Sequence, residues 1–111
     1  MTILLSQVKI ADTRSPFNGL VKDILIKDQQ IHSITDNYKG AADQTIDLKN
    51  SIVSPGFIDP FVHFCDPGME HRETLTTGAN AAIQGGFTTV FVVPNTNPVI
   101  DNKSQVTYVK Q

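Results

Sequence analysis

The run from Pro55 to Gly68 holds the residues of this chain whose types and spacing could do chemistry. It reads Pro-Gly-Phe-Ile-Asp-Pro-Phe-Val-His-Phe-Cys-Asp-Pro-Gly. Side chains two positions apart on a β-strand point to the same face, so four residues of this run are predicted to share one face. They are Asp59, Phe61, His63 and Cys65. A ring nitrogen of histidine can bind zinc at about 2.0–2.1 Å, but such sites use three or four protein ligands, and one imidazole leaves the coordination open.

This run is similar to the first barrel strand of the metal-dependent amidohydrolases, in which a strand ends in His-x-His and both imidazoles bind zinc. Here the pair has become Phe61-Val62-His63. The Gly-Gly-Phe-Thr-Thr-Val run at 85–90 and the Pro-Asn-Thr-Asn-Pro run at 94–98 resemble dihydroorotases, rather than hydantoinases or allantoinases. The resemblance covers essentially the whole chain and is strongest from Ser54 to Asn102.

The resemblance implies four positions that contact metal or substrate in this stretch. Metal-binding histidines belong at Phe61 and His63, an arginine that clamps the substrate carboxylate belongs at Cys65, and an asparagine that binds the same carboxylate belongs at Asn95. His63 is therefore predicted as a metal ligand and Asn95 as a substrate-binding residue, and no catalytic residue is assigned. Phe61 has no lone pair, and Cys65 lacks the guanidinium fork that matches a carboxylate. Zinc, the cofactor of the family, is not expected to bind stably to this chain.

Simpler roles stay open for these side chains. His63 can be a hydrogen-bonded residue at a strand end, Cys65 a small buried apolar residue, and Asn95 a turn residue beside proline. A different metal arrangement also stays open, in which His63 and Cys65 form a nitrogen–sulfur pair shifted along the strand. His32 and His71 are interpreted as surface or turn residues without a role in the site.

The elements that precede these candidate site residues lie in residues 1–54. Short β patterns separated by turn clusters predict strands there, at 3–10, 20–26, 30–34 and 46–53. This part resembles the β-sandwich domain that flanks amidohydrolase barrels. Asp28-Gln29 departs from the Asp-Gly pair typical of a two-residue hairpin, so a longer loop is predicted at that point.

From residue 55 the pattern changes to alternating strands and helices. A strand is predicted at 58–64, and a helix at 70–84, with Glu70 and Glu73 at its N-terminus and Gly85-Gly86 as its C-cap. The next strand, 87–93, is nearly continuous in apolar and β-branched residues, as in a parallel strand buried on both faces. A second helix is predicted to begin near residues 102–104.

The predicted fold is therefore α/β. Residues 1–54 form the N-terminal part of a small β-sandwich, and residues 55–111 form the first two βα units of a (β/α)8 TIM-type barrel. Such a barrel takes about 250 residues, whereas this chain has 111. The chain is accordingly expected to be a truncated part of a dihydroorotase-family protein and to be inactive alone.

Composition excludes several other classes of function. The formal net charge is −2 and no cluster of lysine and arginine is present, which argues against nucleic acid or an anionic membrane surface as a partner. No apolar run approaches the roughly 18 residues of a membrane span. The first residues lack the pattern of a signal peptide, so a cytoplasmic location is predicted.

Three functions stay open at this point. The resemblance implies that the parent protein interconverts N-carbamoyl-aspartate and dihydroorotate in pyrimidine biosynthesis, through a metal-bound hydroxide. The second possibility is a dihydroorotase-like scaffold without activity, as a homodimer or assembled with aspartate carbamoyltransferase, and Phe61 and Cys65 favour it over the enzyme. The third is that the short chain folds poorly and has no function, which its length favours.

Overall fold

A computed structural model describes residues 1–110 of the chain. These residues divide into two compact units, the first ending at Pro55 and the second beginning at Gly56. In chain order the elements are β1 (Thr2–Ile10), β2 (Val21–Lys27), β3 (Gln30–Thr35), β4 (Gln44–Asp47), β5 (Ile52–Val53), β6 (Phe57–Val62), α1 (Leu75–Gln84), β7 (Phe87–Val92) and α2 (Lys103–Lys110).

The first unit is a five-stranded mixed sheet built on β1. On one side β1 pairs antiparallel with β2, which pairs antiparallel with β3. On its other side β1 pairs in parallel with β4 and then with β5. The core is formed by Val8, Ile10 and Ile24. The described residues of this unit form one sheet, so the two-layered sandwich implied by the resemblance stays a prediction.

A bulge in β1 is held by a buried carboxyl group. Gln7 has a φ of 57°, and the register between β1 and β2 shifts between Leu5 and Val8. Asp23 on β2 is only 4% exposed and accepts hydrogen bonds from the backbone N–H groups of Gln7 and Tyr38, each at 2.9 Å. Burial raises the pKa of Asp23, but the hydrogen bonds outweigh it and leave this pKa below its ordinary value.

We expect Asp23→Ala to lower the free energy of unfolding by about 2–4 kcal/mol at pH 7, because two N–H groups lose their acceptor. The folded pKa is depressed, so this stabilisation is present above about pH 4, the ordinary value for aspartate. It is lost as the pH falls through the lower folded value. Urea unfolding of both proteins should therefore show a difference that shrinks at acid pH. Asp36→Ala removes a carboxylate whose side chain is 87% exposed, and an equal cost in that control would contradict the assignment.

The connection between β2 and β3 is a two-residue turn, so the longer loop predicted from the sequence was wrong. Lys27 pairs with Gln30 across the hairpin. Asp28 and Gln29 have φ values of 50° and 65°. Two consecutive residues with positive φ give a type I′ turn, whose twist matches that of the flanking strands. Pairing of the strands thus imposes a backbone conformation that side-chain-bearing residues disfavour.

The second unit joins two parallel strands through a helix. β6 and β7 form a two-stranded parallel sheet, α1 lies between them in the chain, and α2 follows β7. Parallel strands need such a crossover connection. The predicted α/β pattern is confirmed. The (β/α)8 barrel and the assignment of the two parts of the chain to separate domains stay predictions.

The start of α1 differs from the prediction, which placed it at Glu70. Thr74 is the N-cap, and its side chain accepts from the backbone N–H of Thr77, while the Thr77 side chain accepts from the backbone N–H of Thr74. This reciprocal capping box satisfies two free N–H groups at the helix end. Capping by threonine therefore sets the start of α1, and Glu70 and Glu73 precede it. At the other end Gly85 is the C-cap, as predicted.

The prediction that β7 is buried on both faces was wrong for the residues that the structure describes. Val90 and Val92 line a cavity together with residues of α1, so the alternation of the strand turns Phe91 to the opposite face. Phe91 is 58% exposed there, and on β6 Ile58 and Phe61 are 62% and 67% exposed. We call these three side chains, Ile58, Phe61 and Phe91, the open face.

Candidate functional site

The candidate site lies where β6 and β7 end side by side. Both strands run in the same direction, so the segments that follow them leave from the same edge of the sheet. The backbone N–H of Val93 donates to the carbonyl of Val62 at 3.0 Å and joins the two strand ends. His63 directly follows β6, and Asn95 lies in the loop after β7. Functional groups of α/β proteins collect at this edge.

The two residues predicted for the site are in contact. Nδ2 of Asn95 lies 3.3 Å from Nδ1 of His63. An amide NH2 group can only donate, so Nδ1 accepts, and in a neutral imidazole the proton is then carried by Nε2. Both side chains are exposed. The pair can therefore present a ring N–H and a second amide N–H, both donors, to a ligand.

The ring of Phe61 packs against the imidazole of His63. The two rings meet edge to face, with centroids 5.3 Å apart and an interplanar angle of 82°. Such an arrangement is favoured by the charge distribution of aromatic rings. At the position where the resemblance places the first metal ligand, the chain thus has an apolar ring that packs on His63 and has no lone pair.

Cys65 does not continue the alternation predicted along β6. The strand ends at Val62, and Cys65 has a φ of 60°, which turns the chain. Its Sγ lies 3.9 Å from the carbonyl oxygen of His63 rather than beside the ring. Asp59 and His63 both line a cavity under α1, which Val62 also lines, whereas Phe61 and Cys65 do not. The shared face predicted from Asp59 to Cys65 is therefore kept by Asp59 and His63 and was wrong for Phe61 and Cys65, because the pairing register shifts within β6 and the strand ends at Val62.

The side chains present do not fit the metal site that the resemblance implies. Within residues 1–110, no group of three or more His, Cys, Asp or Glu side chains is placed to hold a metal ion. Near His63, Phe61 offers no ligand atom and Asn95 occupies Nδ1. The other histidines are exposed: His32 lies on β3, and His71 lies later in the same loop as His63, before α1.

Asp66 is a residue of the site region that the sequence prediction missed. It is 6% exposed. Its Oδ1 accepts from the hydroxyl of Tyr108 at 2.7 Å, and its Oδ2 accepts from the backbone N–H of Leu75 at 3.1 Å. An acidic residue between Cys65 and Pro67-Gly68, directly after the strand with the candidate site residues, is the signal that could have indicated it. No local pattern indicates Tyr108.

The loops that carry His63 and Asn95 also contact each other through the backbone. The N–H of Asn97 donates to the carbonyl of Pro67 at 3.0 Å. Gly68 has a φ of 98°, and a Cβ at this position would collide with the backbone of Asn97. Glycine is therefore required by both the close approach and the conformation. The two loops therefore pack against each other at Pro67, Gly68 and Asn97.

Comparison with protein families gives a match to a model described as dihydro-orotase-like, over residues 50–111. Among curated proteins, the dihydroorotase of Elusimicrobium minutum is 40% identical over 106 residues, covering 96% of this chain and 24% of the relative. The dihydroorotase of Aquifex aeolicus is 45% identical over 89 residues, covering 80% of this chain and 21% of the relative. The chain thus spans about a quarter of the length of these relatives.

Solved structures of related enzymes share the fold. L-hydantoinase from Arthrobacter aurescens superposes with a TM-score of 0.81 at 25% identity, covering 96% of this chain and 23% of the hydantoinase. A D-hydantoinase gives 0.76 at 29% identity, covering 97% and 23%. A D-aminoacylase, described as having a binuclear metal centre, gives 0.56 at 30% identity, covering 79% and 17%. Neither helix in residues 1–110 has the length and apolar character that crossing a membrane requires.

Proposed function

Because the chain belongs to the dihydroorotase-like family, we propose that it carries part of a dihydroorotase-type substrate site and has no catalytic activity by itself. The ligand class is the one that the family name implies, dihydroorotate or N-carbamoyl-aspartate, both small amides with a carboxylate. The observation that carries the proposal is the 3.3 Å contact between Asn95 and His63 at the joined strand ends. It brings together His63 and Asn95, the two positions of this stretch at which the chain has the residue type that the resemblance implies.

The donors of this pair suit a carboxylate or carbonyl oxygen. Asn95 has a second amide N–H, and His63 has its Nε2–H, when Nδ1 accepts from the amide. Cys65 replaces the arginine of the family, so the charge-assisted, two-pronged contact is missing. Two neutral hydrogen bonds contribute about 1–3 kcal/mol together. We therefore expect weak binding, with a Kd of the order of 1 mM or above.

Metal has no part in this proposal. Zinc supplies a Lewis acid and an activated water in enzymes that hold it with a complete ligand set. The side chains around His63 do not form such a set, so binding of the ligand by Asn95 and His63 is proposed to need no metal.

Residues 1–54 are proposed to belong to the flanking β-sandwich and residues 55–111 to the start of the barrel. A cytoplasmic location is proposed as well.

Saturation-transfer NMR tests the proposal, because it observes the small ligand and detects weak binding in the millimolar range. In the presence of a chelator, the ring protons of dihydroorotate should receive saturation from the wild-type chain. The signal should be lost in Asn95→Ala and kept in Asn97→Ala, which removes a similarly exposed amide from the same loop. Adding zinc should not change it. A saturation-transfer signal that persists in Asn95→Ala, or that appears only with zinc, would contradict the proposal.

A second candidate is a scaffold without ligand binding, and the open face favours it. Ile58, Phe61 and Phe91 are each more than half exposed, and exposed apolar patches often mark protein–protein contacts. The partner would be a second copy of the chain or an aspartate carbamoyltransferase. If no saturation transfer is seen while the chain forms a defined complex, the scaffold replaces the ligand-binding proposal.

A further inference from the structure

Asp66 joins three segments of the second unit. It lies in the loop after β6, between His63 and α1. One oxygen accepts from the backbone of Leu75, the first residue of α1, and the other accepts from the hydroxyl of Tyr108 in α2. Tyr108 lies 42 positions away in the chain. A single buried carboxyl group therefore ties the loop to both helices of this unit.

The contact with α1 also places an acidic side chain at the N-terminus of that helix. The first turn of α1 contains no acidic residue. The partial positive charge and free N–H groups of a helix N-terminus favour an anionic group there. Asp66 supplies that group from outside the helix, in addition to the cap formed by Thr74. The loop that carries His63 is thereby anchored to the end of α1.

We propose that Asp66 is a positioning residue, whose bonds to Leu75 and Tyr108 hold the loop 63–74 so that His63 faces Asn95. The role in ligand binding rests on the proposed function, because it acts through that pair. The geometry of the loop itself does not depend on the ligand. The backbone N–H of Asn97 donates to the carbonyl of Pro67, so the loop after β7 packs against the segment that Asp66 holds.

The acid–base behaviour of Tyr108 agrees with this geometry. The hydrogen bond to Asp66 raises the pKa of Tyr108 above its ordinary value, with smaller contributions from burial and from the nearby charges of Asp66 and Glu70. The bond exists only while the hydroxyl keeps its proton, since a tyrosinate cannot donate. The titration of this tyrosine therefore reports directly on the contact.

The first measurement is the ultraviolet titration of tyrosine. The chain has two tyrosines, so Tyr38→Phe leaves Tyr108 as the only one that titrates. Tyr38 uses its backbone N–H to contact Asp23, and this variant keeps it. The midpoint for Tyr108 should lie above that of free tyrosine, about 10, and should fall when Asp66→Asn is added. An unchanged midpoint would overturn the contact.

The second measurement follows the loop through its own thiol. Cys65 is the only cysteine of the chain and is partly buried beside Asp66. Its rate of reaction with a chromogenic disulfide should rise severalfold in Tyr108→Phe, which removes only the hydroxyl. Thr107→Ala is the matched control on the same helix, because the hydroxyl of Thr107 donates to the carbonyl of Lys103 within that helix. Equal rates for wild type and Tyr108→Phe, or an equal rise in Thr107→Ala, would refute the positioning role.

These measurements separate the two proposals, since neither uses dihydroorotate. If they give the expected results but Asn95→Ala leaves saturation transfer unchanged, the loop is positioned as described and the proposed ligand is wrong. If Asn95→Ala abolishes saturation transfer but Cys65 reacts at the same rate in Tyr108→Phe, the ligand stands and Asp66 is not the residue that positions its site.

Discussion

The purified chain should hydrolyse dihydroorotate no faster than buffer. Enzymes accelerate their reactions by about 10⁶-fold or more, and the parts that would supply this acceleration are missing around His63. Phe61 stands where the resemblance places a metal ligand, and Cys65 stands where it places the carboxylate-binding arginine. Without a metal set, no group polarises the ring amide or activates water. Chromatography of dihydroorotate and N-carbamoyl-aspartate after long incubation measures the rate in both directions.

The informative control restores the two lost side chains. Phe61→His with Cys65→Arg should leave this chain inactive, because even the restored pair supplies only two metal ligands and zinc sites need three or four. Wild-type turnover that disappears in Asn95→Ala would show instead that the described residues hold a working site.

We expect the purified chain to self-associate at micromolar concentration or to behave as a loosely packed species. The β6–β7 sheet has α1 on one side, and the open face on the other carries three large apolar side chains. Each would gain up to about 1.5–3 kcal/mol if fully buried. The sheet has only two strands, so its outer edges add unpaired backbone groups that template association. Light scattering during size-exclusion chromatography at several concentrations gives the mass directly.

A pair of substitutions locates the contact. Phe91→Lys charges the open face and should shift the protein towards the monomer. Val99→Lys charges a similarly exposed apolar residue, 53% against 58%, in the loop after β7, and should change little. A monomer that unfolds in one sharp thermal transition, with amides of β7 protected from hydrogen exchange, would contradict this prediction. It would show that the second unit is stable without a partner on its open face.

The family and the α/β pattern could be predicted because local signals carry them. The Pro-Gly-Phe run at 55–57, the glycines at 85–86 and the Pro-Asn-Thr run at 94–96 are short motifs, and the change from β patterns to a βα pattern is visible within single windows. The match of residues 50–111 to a dihydro-orotase-like model confirms the family. The contact between His63 and Asn95 follows from parallel pairing of two strands, which the βα pattern already implies.

The features that were wrong or missed depend on partners distant in the sequence. Exposure of Phe91 depends on which layers cover β7, and the strand's own residues cannot reveal that. The start of α1 depends on Thr77 bonding back to Thr74, a pair of threonines that composition does not distinguish from others. The link between Asp66 and Tyr108 spans 42 positions, so no periodicity contains it.

The left-handed pair Asp28-Gln29 bears on the order in which the first unit folds. The left-handed conformation costs roughly 1–2 kcal/mol per residue for residues other than glycine, with Asp among the occasional exceptions. A hairpin with such a turn closes more slowly than one with an Asn-Gly or Asp-Gly turn, because its own residues do not favour the reversal. The folding nucleus of this unit is then expected among the contacts of β1 with β2 and β4, with β3 added afterwards. Gln29→Gly would relieve the turn and let the β2–β3 hairpin form earlier.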